Sequence, residues 1–153
     1  MKNIENCNSE VQAKGRVHIV KTNADGVVTY DYVVPNLVVT TGKNFIASKL
    51  RATTNSPTSM THMGIGTVST TPAAGDTALL GQTGRVSLSG DTATNNYVTF
   101  TATFPAGTGD GAIVEAGIFN ALSGGTMLAR TTFPVVTKGS GDTLAITWVV
   151  TVA

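Results

Sequence analysis

Glu115 is the residue whose type and setting best suit chemistry. It stands between Val114 and Ala116 in a run that otherwise reads apolar, and a carboxylate taken out of water needs a partner. If the segments on either side of Ala121-Leu-Ser-Gly-Gly125 close as a symmetric hairpin, Asn120 faces Gly125, and counting outwards sets Glu115 opposite Arg130. A cross-strand ion pair follows. A general acid would want a second acid or a nucleophile beside it, and none accompanies Glu115.

The other titratable residues are quieter. His18 alternates with Val17 and Ile19, which puts it on the solvent side of a strand, and His62 precedes Met63-Gly-Ile-Gly66 with neither a cysteine nor a second histidine at ligand spacing. Asp25, Asp91, Asp110 and Asp142 each stand in Gly- or Asn-rich turns, where aspartate bonds its own backbone. Cys7 is the sole cysteine, so no intramolecular disulfide can form, and no neighbour activates its thiol. Gly64-Ile-Gly66 is a fragment of a dinucleotide fingerprint without the third glycine, and P-loop, nucleophile-elbow and EF-hand patterns are absent. The expectation is a non-enzyme with no catalytic residue, no cofactor and no metal.

Composition narrows the partners. Charged residues make up 12% of the chain and the net charge is +1, against about 25% charged in ordinary globular domains. The ten basic residues are thinly spread, so no electrostatic footprint for a phosphate backbone exists and nucleic-acid binding is not expected. No apolar run approaches the roughly 18 residues of a membrane span, and Met1-Lys-Asn-Ile-Glu-Asn6 lacks a signal-peptide core, so a soluble product made in the cytoplasm is expected.

The elements that must position these residues are mostly strands. Val11–Val20 and Val27–Val34 flank Asn23-Ala-Asp-Gly26, a strong hairpin signal, and Pro35 is expected to end the second strand. Phe45, Ile46, Lys49 and Leu50 recur at helical spacing, which predicts one short helix over Gly42–Ala52 burying Phe45, Ile46 and Leu50. Ser69–Gly84, broken by Pro72, Gly75, Asp76 and Gly81, reads as a long loop and a candidate contact surface. From Arg85 onwards the pattern is β: Val86 and Leu88, a turn at Gly90-Asp91, then Val98, Phe100, Ala102 and Phe104 alternating with Tyr97, Thr99, Thr101 and Thr103. In the last run Leu144, Ile146, Trp148, Val150 and Val152 share one face, and Thr143, Thr147 and Thr151 the other. About eight strands and one helix fit an all-β protein: an antiparallel, jelly-roll-like β-sandwich over residues 10–153, with an N-terminal arm at 1–9 and an N-terminal hairpin at 10–35.

Asn36-Leu-Val-Val-Thr-Thr-Gly-Lys-Asn44, Met63-Gly-Ile-Gly-Thr67 with Pro72-Ala-Ala-Gly-Asp-Thr-Ala-Leu79, and Glu115-Ala-Gly-Ile-Phe-Asn120 with Gly124-Gly-Thr-Met-Leu-Ala-Arg-Thr-Thr-Phe-Pro134 resemble small virion structural proteins of tailed bacteriophages. The resemblance covers about residues 36–152 and is architectural rather than catalytic. It implies a capsid decoration or cement protein, a homotrimer on the capsid surface that clamps the major capsid protein by many weak contacts. The same resemblance implies, as the alternative, a tail-fibre or baseplate component with a host-binding role. Candidate partner contacts are Met1, Lys2 and Ile4 in the arm, and Ser69, Pro72, Asp76 and Leu79 in the long loop.

Overall fold

The computed structural model describes residues 11–50 and 56–153. Among the described residues nine strands and one helix form, in the order β1 (Ala13–Thr22), β2 (Val28–Val38), α1 (Thr40–Lys49), β3 (His62–Gly66), β4 (Gln82–Ser87), β5 (Gly90–Thr94), β6 (Tyr97–Phe104), β7 (Gly111–Phe119), β8 (Met127–Lys138) and β9 (Thr143–Val152). The nine strands are hydrogen-bonded into one sheet, β4-β3-β7-β8-β2-β1-β9-β6-β5, with every neighbouring pair antiparallel.

The first hairpin forms where expected because its turn carries its own ligand. The Asn23 side-chain oxygen accepts the N–H groups of Asp25 and Val27, and Gly26 takes the left-handed conformation at φ 79. Pro35 does not end β2. The strand runs through it to Val38, changing partner as it goes, since Pro35 faces Arg16 of β1 while Leu37 and Val38 pair with Arg130 and Ala129 of β8. A proline is tolerated there because β2 has no partner on its second side until Leu37, so no ladder bond needs the missing N–H.

That switch of partner decides the architecture. Strands β5, β6, β9 and β1 form one half of the sheet and β4, β3, β7 and β8 the other, with β2 common to both. The all-β, antiparallel fold with one short helix is what forms, but in place of the two separate leaves of a jelly-roll sandwich there is one curled sheet, a half-barrel. The halves close on a single core of Val17, Ile19, Ile65, Phe104, Ile113, Ile118, Leu144, Ile146 and Trp148. Alternation carries β6 and β9 into it as the Thr-rich patterns require: Phe100, Ala102 and Phe104 are buried, as are Leu144, Ile146, Trp148 and Val150, whereas Val152, at the strand end, is exposed.

Where β2 and β8 part, side chains of β2 and of its neighbour β1 reach across to β8. The Tyr30 hydroxyl donates to Pro134 O at 2.9 Å and Lys21 Nζ to Thr137 O at 3.0 Å. Burial, then the neighbouring Tyr32, pushes the Tyr30 hydroxyl above its ordinary 10.0. Folding therefore favours the neutral phenol: its contribution to stability is whole below pH 10.0 and fades as the pH rises through the raised value. Stability measured on either side of that pH should fall less steeply in Tyr30→Phe than in the parent chain.

The helix begins two residues earlier than its apolar spacing suggests, at Thr40 rather than Gly42. Gly42 is buried against β8, where a Cβ would lie 2.7 Å from Leu128 C and 2.9 Å from Leu128 Cα, both backbone. Thr41 Oγ1 donates to Met127 O at 2.9 Å beside it. Phe45 and Ile46 pack on the core, but Leu50 lies past the helix end and is exposed, contrary to expectation. Gly42→Ala is expected to lower stability by about 1–3 kcal/mol in denaturant titration, because the backbone clash outweighs alanine's better helix propensity.

Two further differences concern turns. Gly90-Asp91 opens β5 instead of making a turn, and the reversal into β6 falls at Asn95-Asn96, where Asn95 takes φ 52, a conformation asparagine tolerates. Gln82–Gly84, expected in the long loop, belong to β4.

Candidate functional site

Glu115 and Arg130 meet, though not through the register expected. Asn120 N–H bonds Thr126 O rather than facing Gly125, which slips the β7–β8 hairpin by one residue, and Leu128 bulges between the pairs Phe119–Met127 and Ile118–Ala129, which slips it by one more. Glu115 therefore faces Thr132, and Arg130 faces Gly117. A single slip would have sent Arg130 to the opposite face; two return it to the same one. The pair forms diagonally, with Arg130 Nη2 and Nε at 2.8 and 3.0 Å from Glu115 Oε2, and both side chains fully buried.

Asp76 completes the arrangement from the long loop. Its Oδ2 lies 2.9 Å from Arg130 Nη1 and accepts Ala73 N–H at 2.9 Å. Glu115 accepts Gly81 N–H at 2.7 Å on Oε1 and Leu80 N–H at 3.3 Å on Oε2. The loop Thr67–Gly81 is thus tied to the outer face of β7 and β8 at both ends of one arginine-centred network. Thr67 N–H also bonds Gly81 O, so the loop closes on itself. Leu79 fills a second apolar cluster on this face with Val39, Phe119 and Met127.

Of the proposed partner contacts, Ser69 is exposed and Pro72 half-buried, Asp76 is engaged by Arg130, and Leu79 is inside the chain's own second cluster. Met1, Lys2 and Ile4, the arm and Cys7 lie outside the described residues.

Other polar groups are similarly occupied. Lys138, fully buried, puts Nζ 2.7 Å from Asp110 Oδ1 and 3.0 Å from Pro105 O, so Asp110 serves a lysine rather than its own turn. Its position two residues from Val136, on the core face, was the signal in the sequence that could have revealed it. Asp142 accepts Gly139 N–H at 2.8 Å as a turn aspartate should and lies 3.6 Å from Lys21 Nζ. His18 Nε2 sits 2.7 Å from Asp31 Oδ1 on the exposed face of β1. Arg85 stacks over the Phe119 ring at 3.5 Å and donates to Ala121 O and Gly124 O, both at 3.0 Å, holding the β7–β8 turn; burial lowers its pKa from the ordinary arginine value.

Among the described residues the nearest approach to a nucleophile pair is Ser87 Oγ at 3.3 Å from His62 Nε2, with Thr61 Oγ1 at 2.7 Å from Nδ1. A carboxylate to orient the imidazole is missing from this trio, and neither Ser87 nor His62 lines the cavities described below. Among the described residues no three His, Cys, Asp or Glu side chains gather as metal ligands, and no helix is long and apolar enough to cross a membrane. The larger grooves are open: one of about 510 Å³ over Lys14, Arg16, Tyr97 and Val149, and one of about 670 Å³ between the start of β1 and α1, lined by Val11, Lys14, Lys43, Ile46 and Leu50.

No family model, curated protein or solved structure matches this chain.

Proposed function

We propose that this chain is a structural building block of a virion, a capsid decoration or cement protein that clamps the major capsid protein. In this reading it is a homotrimer on the capsid surface, and the two halves of the curled sheet act as the leaves of a jelly-roll-like sandwich. The resemblance of residues 36–152 to small tailed-phage virion proteins motivates the reading. The observation that carries it is the anchoring of Thr67–Gly81: a buried arginine and two carboxylates grip the loop from beneath, while Ser69, Thr70, Thr71, Ala73, Ala74 and Gly75 stand exposed above. A loop ordered before binding loses little entropy on contact, which suits a clamp built from many weak interfaces.

A tail-fibre or baseplate role is the second reading, favoured by the exposed rings of Tyr32 and Tyr97, which are suited to stacking on a receptor sugar. Imaging of purified particles with an antibody to this chain separates the two. Signal over the whole shell is expected; signal confined to the tail would select the second reading, and particles without the chain would exclude both.

A further inference from the structure

We propose that the outer face of β1, β9 and β6 binds an acidic sugar chain, with Lys14 and Arg16 holding an acidic group while Val149 and Tyr97 carry the apolar face of a sugar ring. None of these residues belongs to the Thr67–Gly81 loop, and binding here does not depend on where the chain sits in a particle.

The strand registers lay this face out as a grid. Lys14, Thr151 and Tyr97 form one rung across β1, β9 and β6; Arg16, Val149 and Thr99 form the next; His18, Thr147 and Thr101 form the third. Their neighbours of opposite parity, among them Val17, Ile19, Phe100, Ile146 and Trp148, are buried in the core, so the grid points outward. An open groove of about 510 Å³ lies over the first two rungs, lined by Lys14, Gly15, Arg16, Tyr97, Val149 and Thr151. A second, of about 260 Å³, shares Arg16 and Val149 with it and reaches His18 and Thr147.

The charge on this face is one-sided. Strands β1, β6 and β9 contain no aspartate or glutamate. On the flanking strands, Asp31 of β2 lies 2.7 Å from His18 Nε2, and Asp91 of β5 faces Phe100 and so has the core parity. Elsewhere the fold pairs its cations internally: Lys21 with Asp142, Arg130 with Glu115 and Asp76, Lys138 with Asp110. Lys14 and Arg16 have no such partner among the described residues. Alternate positions on a strand stand about 7 Å apart, close enough for both to reach one acidic group, and the arginine fork can grip a carboxylate or sulfate through two bonds.

What surrounds the two cations selects among anions. Thr99, Thr147 and Thr151 set hydroxyls beside them, and half-buried Val149 and the exposed Tyr97 ring add apolar surface, the mixture that a sugar's hydroxyls and C–H faces require. A nucleic-acid strand would want a ring for each stacked base and a longer track of charge, whereas this face has one ring and two permanent cations. An extended acidic peptide is held best by main-chain bonds at a sheet edge, and β1, β9 and β6 are each paired on both sides.

The test titrates the full chain with hexagalacturonate, with a heparin hexasaccharide and with fully methyl-esterified hexagalacturonate, followed by two-dimensional NMR. At least one acidic sugar should shift the amide signals of Lys14–Arg16, Val149–Thr151 and Tyr97–Thr99, and the tighter of the two tells carboxylate from sulfate. The neutral ester should bind at least about tenfold more weakly. Arg16→Gln and Tyr97→Ser, both at exposed positions and expected to melt as the parent chain does, should each weaken binding by about tenfold. Failure of both acidic sugars to bind, equal binding of the ester, or shifts centred on another face would overturn the proposal. So would an unchanged affinity in Tyr97→Ser, or equally tight binding of hexathymidylate or hexaglutamate, because the face would then read charge and not the sugar.

Discussion

Replacing Arg130 with alanine is expected to lower the stability of the fold by about 3–5 kcal/mol, the range seen when one partner of a buried ion pair is removed. For a chain of this size that corresponds to a melting temperature lower by about 6–20 °C. The magnitude comes from what is left behind. Glu115 is fully buried and would keep its bonds to Gly81 and Leu80, but it would lose the cation that accompanies its charge. Asp76 would also lose its pairing, yet it retains some contact with water and can hydrate. Glu115→Ala should destabilise as well, and by less, because Arg130 would still hold Asp76 while two loop N–H groups lost their acceptor. An unchanged melting temperature in either variant would sink the idea that this network anchors the loop. The double variant Glu115→Leu with Arg130→Met should recover much of the loss, since no uncompensated buried charge remains. Thermal melts of the three variants beside the parent chain give the comparison directly.

Trp148→Ala should cost about 3–5 kcal/mol by a different route, the opening of a cavity in a close-packed core. Trp148 is the largest fully buried side chain and stands on the rung that joins Val17 of β1 to Phe100 of β6, so its removal unpacks three strands together. Its indole Nε1 has no protein acceptor among the described residues, so its contribution comes chiefly from the area it buries. Trp148→Phe should therefore lose much less, under about 1.5 kcal/mol. Trp148 is the single tryptophan, so the alanine variant has no indole fluorescence and its unfolding must be followed by circular dichroism in urea. A loss as large in Trp148→Phe as in Trp148→Ala would mean that the Nε1 group is bonded after all.

The ion pair shows how a wrong register can leave a right contact. Symmetric closure of Ala121–Gly125 misplaces both Asn120 and Arg130, but the turn slip and the Leu128 bulge sum to an even number, and side-chain faces repeat every two residues. Asp76 and Leu79 had no such protection. Their neighbours in sequence are loop residues, and nothing local distinguishes an aspartate awaiting a partner protein from one that meets Arg130 in the same chain. Parity with Val136 places Lys138 on the core face, but a lysine there is unusual, and only the fold reveals it paired with Asp110, which reads in sequence as a turn residue. Pro35 and Gly90-Asp91 misled because both are turn formers in general; Pro35 sits where β2 lacks a second partner, and Gly90-Asp91 found one in β6.

By itself the sequence determined the all-β class, the first hairpin, the short helix and the faces of β6 and β9. Each of these follows from alternation or from turn chemistry within about ten residues of chain, where geometry leaves one choice of face. Tertiary structure alone decided that the strands join in one curled sheet, that β2 belongs to both halves, and that Thr67–Gly81 is gripped from below. Those outcomes depend on which distant strand lies alongside and where a bulge turns it away, and such pairings are set by contacts over the whole core rather than by any local pattern.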